Sequence, residues 1–516
     1  MAKIGIDFGT TNSLLVSYDK QKNRFEYYNY SGDRPVPTSS TVWYYDDNVI
    51  VGDEARKNIF DYSGVEGHHF ERSIKSKLGT SESAFVFGKE VPSYEVAGEI
   101  INHLKAKTIN SKAESLDIDL NQAVFTIPIN FSGKARKNLR KAANKAGIEV
   151  TTFIHEPFAA IIGYYFSRKP GSSIQDIKSN ISKLEGKNIL TFDWGGGTLD
   201  ITVVSVKKNR MIEIGTAELT NLAGDEIDKR IANYAWNQFV NSCNNKYSEE
   251  YLERVKNKNW GRLISRAETC KIELSSSNNV EFNLYNIIDK QSIEIVISRN
   301  DLQCIIYDII DAAFLKIDEA LSNAHITKSN VKVILTGGTC NIPAIQKRMF
   351  EEFGTNVENV NNAELVIAQG AAVIAEMGWM PFLSKDIMIS LSDGSYWPIF
   401  ESNTLISTNE VATAYEEFVC VDQRQKIAKI IICEGKSDKE RYKQRKDRIL
   451  QVIKVPILSD YRFGDIIVVD AKIDKNIIMQ INAYSKMVCG YDKEHNYSIG
   501  KKAEVYQLCF GLDFGG

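Results

Sequence analysis

Three segments of the chain share one pattern, a short apolar run that ends in a polar residue followed by small residues. They are 4–12 (IGIDFGTTN), 189–198 (ILTFDWGGGT) and 333–339 (VILTGGT). A continuous apolar run of this length, bounded by a turn signal, is typical of a buried strand. Each segment therefore predicts a strand that ends in a glycine-rich turn. The repetition in the first two segments suggests a duplicated half-domain.

Between these strands the pattern changes to that of helices. The segment 132–146 starts with a capping serine, continues with strong helix formers and is followed by Gly147, which together predict a helix. The segments 225–247 and 301–324 have the same character. The polar segment 169–187, which contains Pro170 and Gly171, predicts an exposed excursion. Strands that alternate with helices predict an α/β architecture.

After Met377 the helical pattern gives way to short alternating strands separated by turn residues. This pattern predicts an all-β unit of the sandwich type. A basic, polar stretch at 436–448 interrupts it, and we interpret that stretch as a solvated loop rather than a nucleic-acid-binding arm. The predicted strands are 387–391, 417–421, 429–433, 449–455, 466–473 and 477–484.

Composition narrows the class of protein. The chain has 516 residues, of which 43% are hydrophobic and 25% charged, with a formal net charge of −3. This balance argues against a nucleic-acid partner. The sequence lacks both an apolar run long enough to span a membrane and a signal peptide, so we expect a cytoplasmic protein. The eight cysteines form no C-x-x-C pair and are expected to be reduced, buried side chains.

The glycine-rich turns carry the candidate chemistry, because backbone N–H groups without a Cβ beside them can approach an anion closely. Two such turns could hold a polyphosphate between them, although neither matches the P-loop pattern. Asp7 and Asp193 end the first two strands, and carboxylates beside a phosphate site suit Mg²⁺ that is held through its waters. In the alternative interpretation, both motifs are ordinary strand–turn caps.

The order of these motifs resembles that of the sugar-kinase, actin and heat-shock ATPase superfamily, and the connecting segments resemble the 70-kDa heat-shock chaperones. The likeness extends over residues 1–378, with a weaker match in the β unit at Asn403-Thr404, Phe418, Asp422-Gln423, Glu434-Gly435 and 471–477. The segments that carry the stronger match are 73–79 (SIKSKLG), 124–128 (VFTIP) with Phe131, Arg136 and 146–148 (AGI), Glu156-Pro157 with Ala159-Ala160, Ala267-Glu268 with Lys271 and 274–276 (LSS), and 370–373 (GAAV).

This resemblance implies a fold of three parts and a slow ATPase that acts as a molecular switch. Residues 1–378 would form an actin-like ATPase domain with two ribonuclease-H-like lobes, 379–386 an interdomain linker, and 387–516 a β-sandwich that binds extended apolar polypeptide, with no helical lid after it. The implied cofactors are ATP or ADP and Mg²⁺, with K⁺ as a further candidate. The implied partners are an unfolded client and a nucleotide-exchange factor, with no membrane or nucleic acid.

The resemblance also implies residue roles. Asp7, Asp193, Glu156 and Asp200 would surround the Mg²⁺ and the attacking water, with Asp7 and Asp193 acting through water, and Lys75 would orient that water. As alternatives, the acids could be satisfied structural carboxylates and Lys75 a surface lysine. The phosphates would be contacted by Gly9, Thr10, Thr11, Asn12, Gly195, Gly196, Gly197 and Thr198. The remaining nucleotide contacts would come from Gly224, Glu268, Lys271, Ser275, Gly337, Gly338 and Asn341.

Several positions depart from the family pattern. Asn341 replaces an arginine that stacks on adenine, which should weaken nucleotide binding by about 1 kcal/mol. Thr152 replaces an arginine that engages J-domain partners, which places such a partner in doubt. Glu364 replaces an aspartate of the nucleoside loop, a milder change. The loop after Leu391 is shorter than in the family and the linker is altered.

Three functions compete at this stage. The leading hypothesis is an ATP-regulated, lidless binder of extended apolar peptides. The second is an ATP-regulated adaptor or assembly factor whose β domain docks a folded partner, which the short loop and Thr152 favour. The third is a small-molecule kinase of the same superfold. The Glu156-Pro157 and Lys75 segments argue against the third.

Overall fold

The computed structural model describes most of the chain and divides it into two units. The first unit comprises Met1–Asn209 and Glu213–Gly378, and the second comprises Arg210–Ile212 and Trp379–Gly516. The described residues are 1–86, 88–111, 118–167, 171, 173–208, 210–243, 246–289, 291–358, 362–406, 411–419, 426–435, 448–457, 466–488, 497–499, 506–508 and 512–515.

The first unit mixes strands and helices, which confirms the predicted α/β class. Its strands are β1 Ala2–Phe8, β2 Asn12–Asp19, β3 Arg24–Tyr27, β4 Tyr30–Ser31, β5 Arg34–Pro35, β6 Thr38–Ser39, β7 Val42–Tyr45, β8 Asn48–Val51, β9 His68–Glu71, β10 Ser83–Val86, β11 Lys89–Pro92, β12 Ile118–Ile127, β13 Glu149–His155, β14 Asn188–Trp194, β15 Thr198–Lys207, β16 Arg210–Thr220, β17 Asn279–Ile288, β18 Gln291–Ser298, β19 Lys332–Thr336 and β20 Val357–Glu358. Its helices are α1 Asp53–Tyr62, α2 Ile74–Lys77, α3 Ser93–Asn110, α4 Gly133–Lys145, α5 Glu156–Ser167, α6 Ile174–Ser182, α7 Gly224–Ser242, α8 Glu249–Ser276, α9 Arg299–Ala324, α10 Pro343–Phe353 and α11 Val366–Met377.

Two sheets of the first unit have the same strand order. In the first sheet the order is β13-β12-β1-β2-β3, and in the second it is β20-β19-β14-β15-β16. β1 is parallel to β12 and antiparallel to β2, just as β14 is parallel to β19 and antiparallel to β15. The two glycine-rich turns therefore follow equivalent strands, β1 and β14. This agrees with the duplication that the sequence suggested.

Helices α5 and α11 pack against each other with a glycine on each side of the crossing. A Cβ placed on Gly163 would lie 1.9 Å from the Val366 carbonyl oxygen, and one placed on Gly370 would lie 1.9 Å from the Ala159 carbonyl oxygen. Only glycine fits such a close backbone approach. Because Glu156 is the first residue of α5, this packing also fixes where Glu156 lies.

Helix boundaries follow the capping chemistry. The Ser132 side chain accepts a hydrogen bond from Ala135 N at the start of α4, and Gly147 after its end has a φ of +65°. Helix α9 begins at Arg299, two residues before the predicted start, because Ser298 and Asp301 form a reciprocal capping box. Helix α7 ends at Ser242 rather than at Tyr247, so the prediction for that end was too long.

Most described residues of the segment 169–187, predicted as an exposed excursion, are exposed, but the segment also contains a helix. Residues Ile174–Ser182 form α6, and Ile181 and Leu184 are buried, at 2% and 3% exposure. The segment is mostly polar, and this composition together with Pro170-Gly171 predicted a loop and not a helix.

The second unit consists of strands in the part of the chain that the structure describes. β22, β23, β25 and β26 form one sheet in the order β23-β22-β25-β26, and the other has the order β24-β27-β28, with β29 and β30 both paired to β28. Apolar side chains of both sheets are buried, including Ile432 and Ile481. The strands are β21 Met380–Leu383, β22 Asp386–Ser390, β23 Tyr396–Phe400, β24 Ala412–Val419, β25 Ile427–Gly435, β26 Arg448–Pro456, β27 Ile466–Ile473, β28 Met479–Val488, β29 Tyr497–Ile499, β30 Tyr506–Leu508 and β31 Leu512–Gly515.

The predicted strands of this region are found, with ends that shift by a few residues. The strand predicted at 417–421 starts earlier, at Ala412, and the strand predicted from Ile477 starts at Met479. Some predicted features lie outside the described residues. They are the end of the strand predicted at 417–421, the family match at Asp422-Gln423, and the predicted loop at 436–447. Within the described ranges, no helix is long and apolar enough to cross a membrane.

Candidate active site

The first glycine-rich turn presents the partly buried carboxylate of Asp7 and a tight backbone. Ile4, Ile6 and Phe8 of β1 are fully buried. Asp7 lies between two of them, on the opposite side of the strand, and accepts a 2.8 Å hydrogen bond from the Thr126 Oγ1. A Cβ on Gly9 would lie 2.0 Å from the Asn12 carbonyl oxygen, so the turn cannot close with any other residue at this position.

The second turn places two acids side by side. Asp193 on β14 lies directly opposite Asp200 on β15, so both side chains lie on the same face of the sheet. The Thr198 Oγ1 donates a 2.8 Å hydrogen bond to the Asp200 Oδ2. The neighbouring Trp194 is fully buried in the core of this half, as the alternation of a strand requires.

The two turns lie against each other. A Cβ on Gly196 would lie 1.9 Å from the Thr11 Oγ1, and one on Gly197 would lie 3.0 Å from the Thr10 Cγ2. The Thr11 Oγ1 is buried and has no hydrogen-bond partner within the described residues. An unsatisfied hydroxyl at this point is available to a ligand that enters between the turns.

Gly224, Gly337 and Thr339 pack closely against the second glycine-rich turn. The Gly195 carbonyl oxygen accepts hydrogen bonds from Gly224 N at 3.1 Å and from the Thr339 Oγ1 at 2.9 Å. A Cβ on Gly337, whose φ is +81°, would lie 2.4 Å from the Trp194 carbonyl oxygen. The third sequence segment therefore meets the second, as its similar pattern suggested.

Lys75 is the cation that lies among the acidic residues Asp7, Glu156 and Asp193. Its Nζ donates a 2.6 Å hydrogen bond to the Glu156 Oε1, and the two residues are 7% and 6% exposed. Burial alone would lower the pKa of Lys75, but the negative charges of Glu156, Asp7 and Asp193 raise it instead. Lys75 is therefore a buried, protonated amine and not a surface lysine.

The four carboxylates carry more negative charge than Lys75 can balance. Burial raises the pKa of Asp7, Glu156, Asp193 and Asp200. The negative charges of neighbouring acids in the group raise the pKa of Glu156 and Asp193 further. A site of this kind favours an additional cation. Within the described chain, no three of the acidic, histidine or cysteine side chains are placed to hold a metal ion directly. This donor set fits Mg²⁺, which commonly keeps several of its waters.

Two of the residues expected to hold the nucleoside, Glu268 and Lys271 of α8, are engaged with protein groups. The Glu268 carboxylate pairs with Arg56 and Arg72, each at 3.0 Å. The Lys271 Nζ donates to the Gly224 carbonyl oxygen at 3.0 Å and to the Asp228 Oδ2 at 2.9 Å. These contacts fix the face that these side chains share.

The remaining nucleoside candidates are more open. Among the described residues, the Ser275 Oγ hydrogen-bonds within its own helix, at 3.5 Å from the Lys271 carbonyl oxygen. Gly338 has open space where a Cβ would lie, and Asn341 is exposed at the end of the short 3-10 turn Gly338–Asn341. A further residue of α8, Ile272, is 53% exposed beside Lys271 and was not among the predicted site residues. Its spacing of four residues from Glu268 and three from Ser275 could have revealed it.

Other functional contacts were missed because they join distant parts of the chain. One is the ion pair of Arg72 with Glu268. Arg72 directly precedes the segment 73–79, and its positive charge beside that segment could have marked it as a site residue. Asp225, at the start of α7, bonds to Ser73. Thr152, which stands where the family has an arginine that engages J-domain partners, is 3% exposed.

Most of the chain is similar to known proteins. A family model described as "Hsp70 protein" matches residues 3–506. The chain belongs to the Hsp70 family. It is similar to the chaperone protein DnaK of Mycoplasma mycoides subsp. mycoides SC, with 30% identity over 375 residues, and the match covers 72% of this chain. The match covers 58% of that DnaK. The resemblance to Hsp70 that the sequence segments indicated is thereby confirmed.

Proposed function

We propose that this Hsp70-family chain is an ATP-dependent, chaperone-like protein of the cytoplasm. ATP binding and slow hydrolysis in the first unit would switch the affinity of a β-sandwich for extended apolar polypeptide. In this proposal 1–378 is the actin-like ATPase domain with two ribonuclease-H-like lobes, 379–386 is the linker and 387–516 binds the client. A nucleotide-exchange factor is a proposed partner.

One observation carries the ATPase part of the proposal. The buried Lys75–Glu156 pair lies among three further carboxylates, beside two glycine-rich turns that face each other. A structural ion pair would not need two glycine-rich turns, and a simple phosphate site would not gather four carboxylates. Together these features suit phosphoryl transfer from a nucleotide that binds with a metal ion.

The proposed roles follow from charge and position. Backbone N–H groups of Thr10, Gly196 and Gly197 would bind the phosphates, the tight turn at Gly9 would bring them close, and the open Thr11 hydroxyl would add a contact. Lys75 would stabilise the charge that develops on the transferred phosphoryl group, while Glu156 holds the lysine in place. Asp200, bonded to Thr198, would orient the attacking water.

A bound Mg²⁺ would neutralise phosphate charge and balance the acidic group. Asp7 and Asp193 would hold it through water, since both lie at the strand ends that face the turns. K⁺ is a further candidate ion at the same cluster. The nucleoside would lie against α8 at Glu268, Lys271 and Ser275, with Ile272, Gly338 and Asn341 around the base.

The second unit offers an edge that suits an extended peptide. β24 pairs only with β27 among the described strands, and its outward residues Tyr415 and Val419 are 54% and 72% exposed. Trp397 of β23 contacts Phe418 edge to face, with ring centroids 6.3 Å apart. An extended chain can add to a free edge through main-chain hydrogen bonds while apolar side chains give affinity.

A specific feature favours a second candidate function, an ATP-regulated adaptor whose β domain docks a folded partner. The turn between β22 and β23 is closed on itself: Leu391 N donates to the Ser395 carbonyl oxygen at 2.8 Å, and Ser395 N donates to the Asp393 Oδ1 at 2.8 Å. A short, internally bonded loop leaves less backbone to enclose a threaded peptide than a long loop would.

Peptide binding under different nucleotides separates the two functions. Fluorescence anisotropy of a labelled, extended apolar peptide would be measured with the protein in ADP and in ATP. The chaperone proposal expects saturable binding that is weaker in ATP. Absence of binding in both nucleotides, in a protein that still hydrolyses ATP, would support the adaptor.

A further inference from the structure

Ser73 occupies a backbone conformation that its residue type rarely adopts. Its φ and ψ are 55° and 32°, in the left-handed region, immediately before the short helix α2 that carries Lys75. Left-handed backbone at a serine persists where surrounding contacts determine it. Here the contacts are made by Ser73 and by the preceding residue, Arg72.

Both contacts join the Lys75 segment to helices of the other half of the first unit. The Ser73 Oγ donates a 3.1 Å hydrogen bond to the Asp225 Oδ2 in the first turn of α7. The preceding Arg72 pairs with Glu268 of α8 at 3.0 Å. Contacts with α7 and α8 therefore fix the chain at Ser73 and Arg72, just before Lys75.

Asp225 also holds the second glycine-rich turn. Its backbone N donates a 2.7 Å hydrogen bond to the Gly196 carbonyl oxygen. Its Oδ1 lies 2.8 Å from where a Cβ on Gly196 would be. One residue thus bonds to the phosphate-binding candidate turn through its main chain and to the Lys75 segment through its side chain.

We propose that Asp225 is a positioning residue that sets Lys75 relative to the Gly196 turn by way of Ser73. Movement of the turn when it binds phosphate would pass through Asp225 to Ser73 and so bring Lys75 into register with the reacting group. In this proposal Asp225 acts through the geometry of Lys75 and not by direct contact with the reactants. The inference rests on the proposed ATPase function and adds a residue pair to it.

The test is a double-mutant cycle on the full chain, with Ser73→Ala, Asp225→Ala and the double variant. Single-turnover ATP hydrolysis and nucleotide Kd are measured separately for each. Each single variant is expected to lose about tenfold in rate, the size that one lost hydrogen bond can give, while the Kd stays within about threefold of wild type. The double variant is expected to be no slower than either single variant, because both remove the same contact.

Two further variants separate positioning from a structural effect. Asp225→Asn keeps an oxygen that can accept from Ser73 and is expected to recover most of the rate. Glu226→Ala removes a neighbouring acid from the same helix turn without touching Ser73 and is expected to keep the wild-type rate, so a rate loss there as large as in Asp225→Ala would assign the effect to helix charge and overturn the inference.

The outcomes also separate this inference from the proposal beneath it. Wild-type hydrolysis with unaffected variants, or with rate losses that add in the double variant, overturns the Asp225 inference alone. A wild type that binds no nucleotide overturns both. A loss that lies entirely in Kd assigns the pair to binding and contradicts positioning.

Discussion

Glu71, at the end of β9, is buried between two basic partners. Its Oε1 lies 2.9 Å from the His69 Nε2, and its Oε2 accepts a 2.9 Å hydrogen bond from the Lys77 Nζ. Burial alone would raise the pKa of this carboxyl, but the hydrogen bonds and charges of His69 and Lys77 hold it below its ordinary value of 4.5. The contacts secure the segment that leads into Lys75.

This shift predicts how stability depends on pH. A carboxyl whose pKa is lower in the folded state stabilises the fold above its unfolded pKa, and the contribution is lost as pH falls through the folded pKa. Glu71→Gln should lower the free energy of unfolding by about 1–2 kcal/mol near pH 7, measured by denaturant unfolding. The difference from wild type should shrink as pH falls below 4.5.

An exposed carboxylate gives the matched control. Glu90 on β11 is exposed, so Glu90→Gln should change stability little at any pH. If Glu71→Gln destabilised the protein equally at pH 7 and at pH 3, the charge of Glu71 would not be the cause.

At the scale of elements, the crossing of α5 and α11 is a close backbone packing that positions the site. Gly370→Ala would force a Cβ to within 1.9 Å of the Ala159 carbonyl oxygen. Backbone cannot yield as a flexible side chain can, so we expect a loss of about 1–3 kcal/mol or more in the free energy of unfolding. Because α5 starts at Glu156, hydrolysis should slow as well.

Gly98→Ala is the comparison within another helix of the same unit. A Cβ at Gly98 of α3 would meet the Lys145 Cδ at 3.0 Å, the far part of a flexible side chain, and otherwise make contacts of 3.4 Å. Alanine also favours the helix over glycine by up to about 1 kcal/mol. Denaturant unfolding should therefore find Gly98→Ala neutral or stabilising, and equal destabilisation of both variants would contradict the crossing argument.

The elements also show what the sequence could predict. The glycine-rich turns were visible because their chemistry is local: an apolar run, an acid and glycines at fixed spacing. Helix α6 was missed because its segment is mostly polar and follows Pro170-Gly171, which together predict a loop. Strand pairings, such as β24 with β27, depend on contacts between distant segments and left no signal in either strand.

At the scale of the whole molecule, the candidate site combines local motifs with long-range contacts. Asp7 and Asp193 could be found from their own strands. Placing Lys75 beside Glu156, 81 residues away, required the family resemblance. Even that resemblance gave no hint of the Ser73–Asp225 bond, because a contact across 152 residues follows from how the two halves meet and not from either segment alone.

Single-turnover ATP hydrolysis, with and without an extended apolar peptide, tests the central claim most directly. It would compare wild type, Lys75→Ala and the exposed-lysine control Lys89→Ala. The account predicts slow hydrolysis that peptide accelerates, that Lys75→Ala abolishes and that Lys89→Ala leaves unchanged. Hydrolysis that persists in Lys75→Ala, or a wild type that binds no nucleotide, would contradict it.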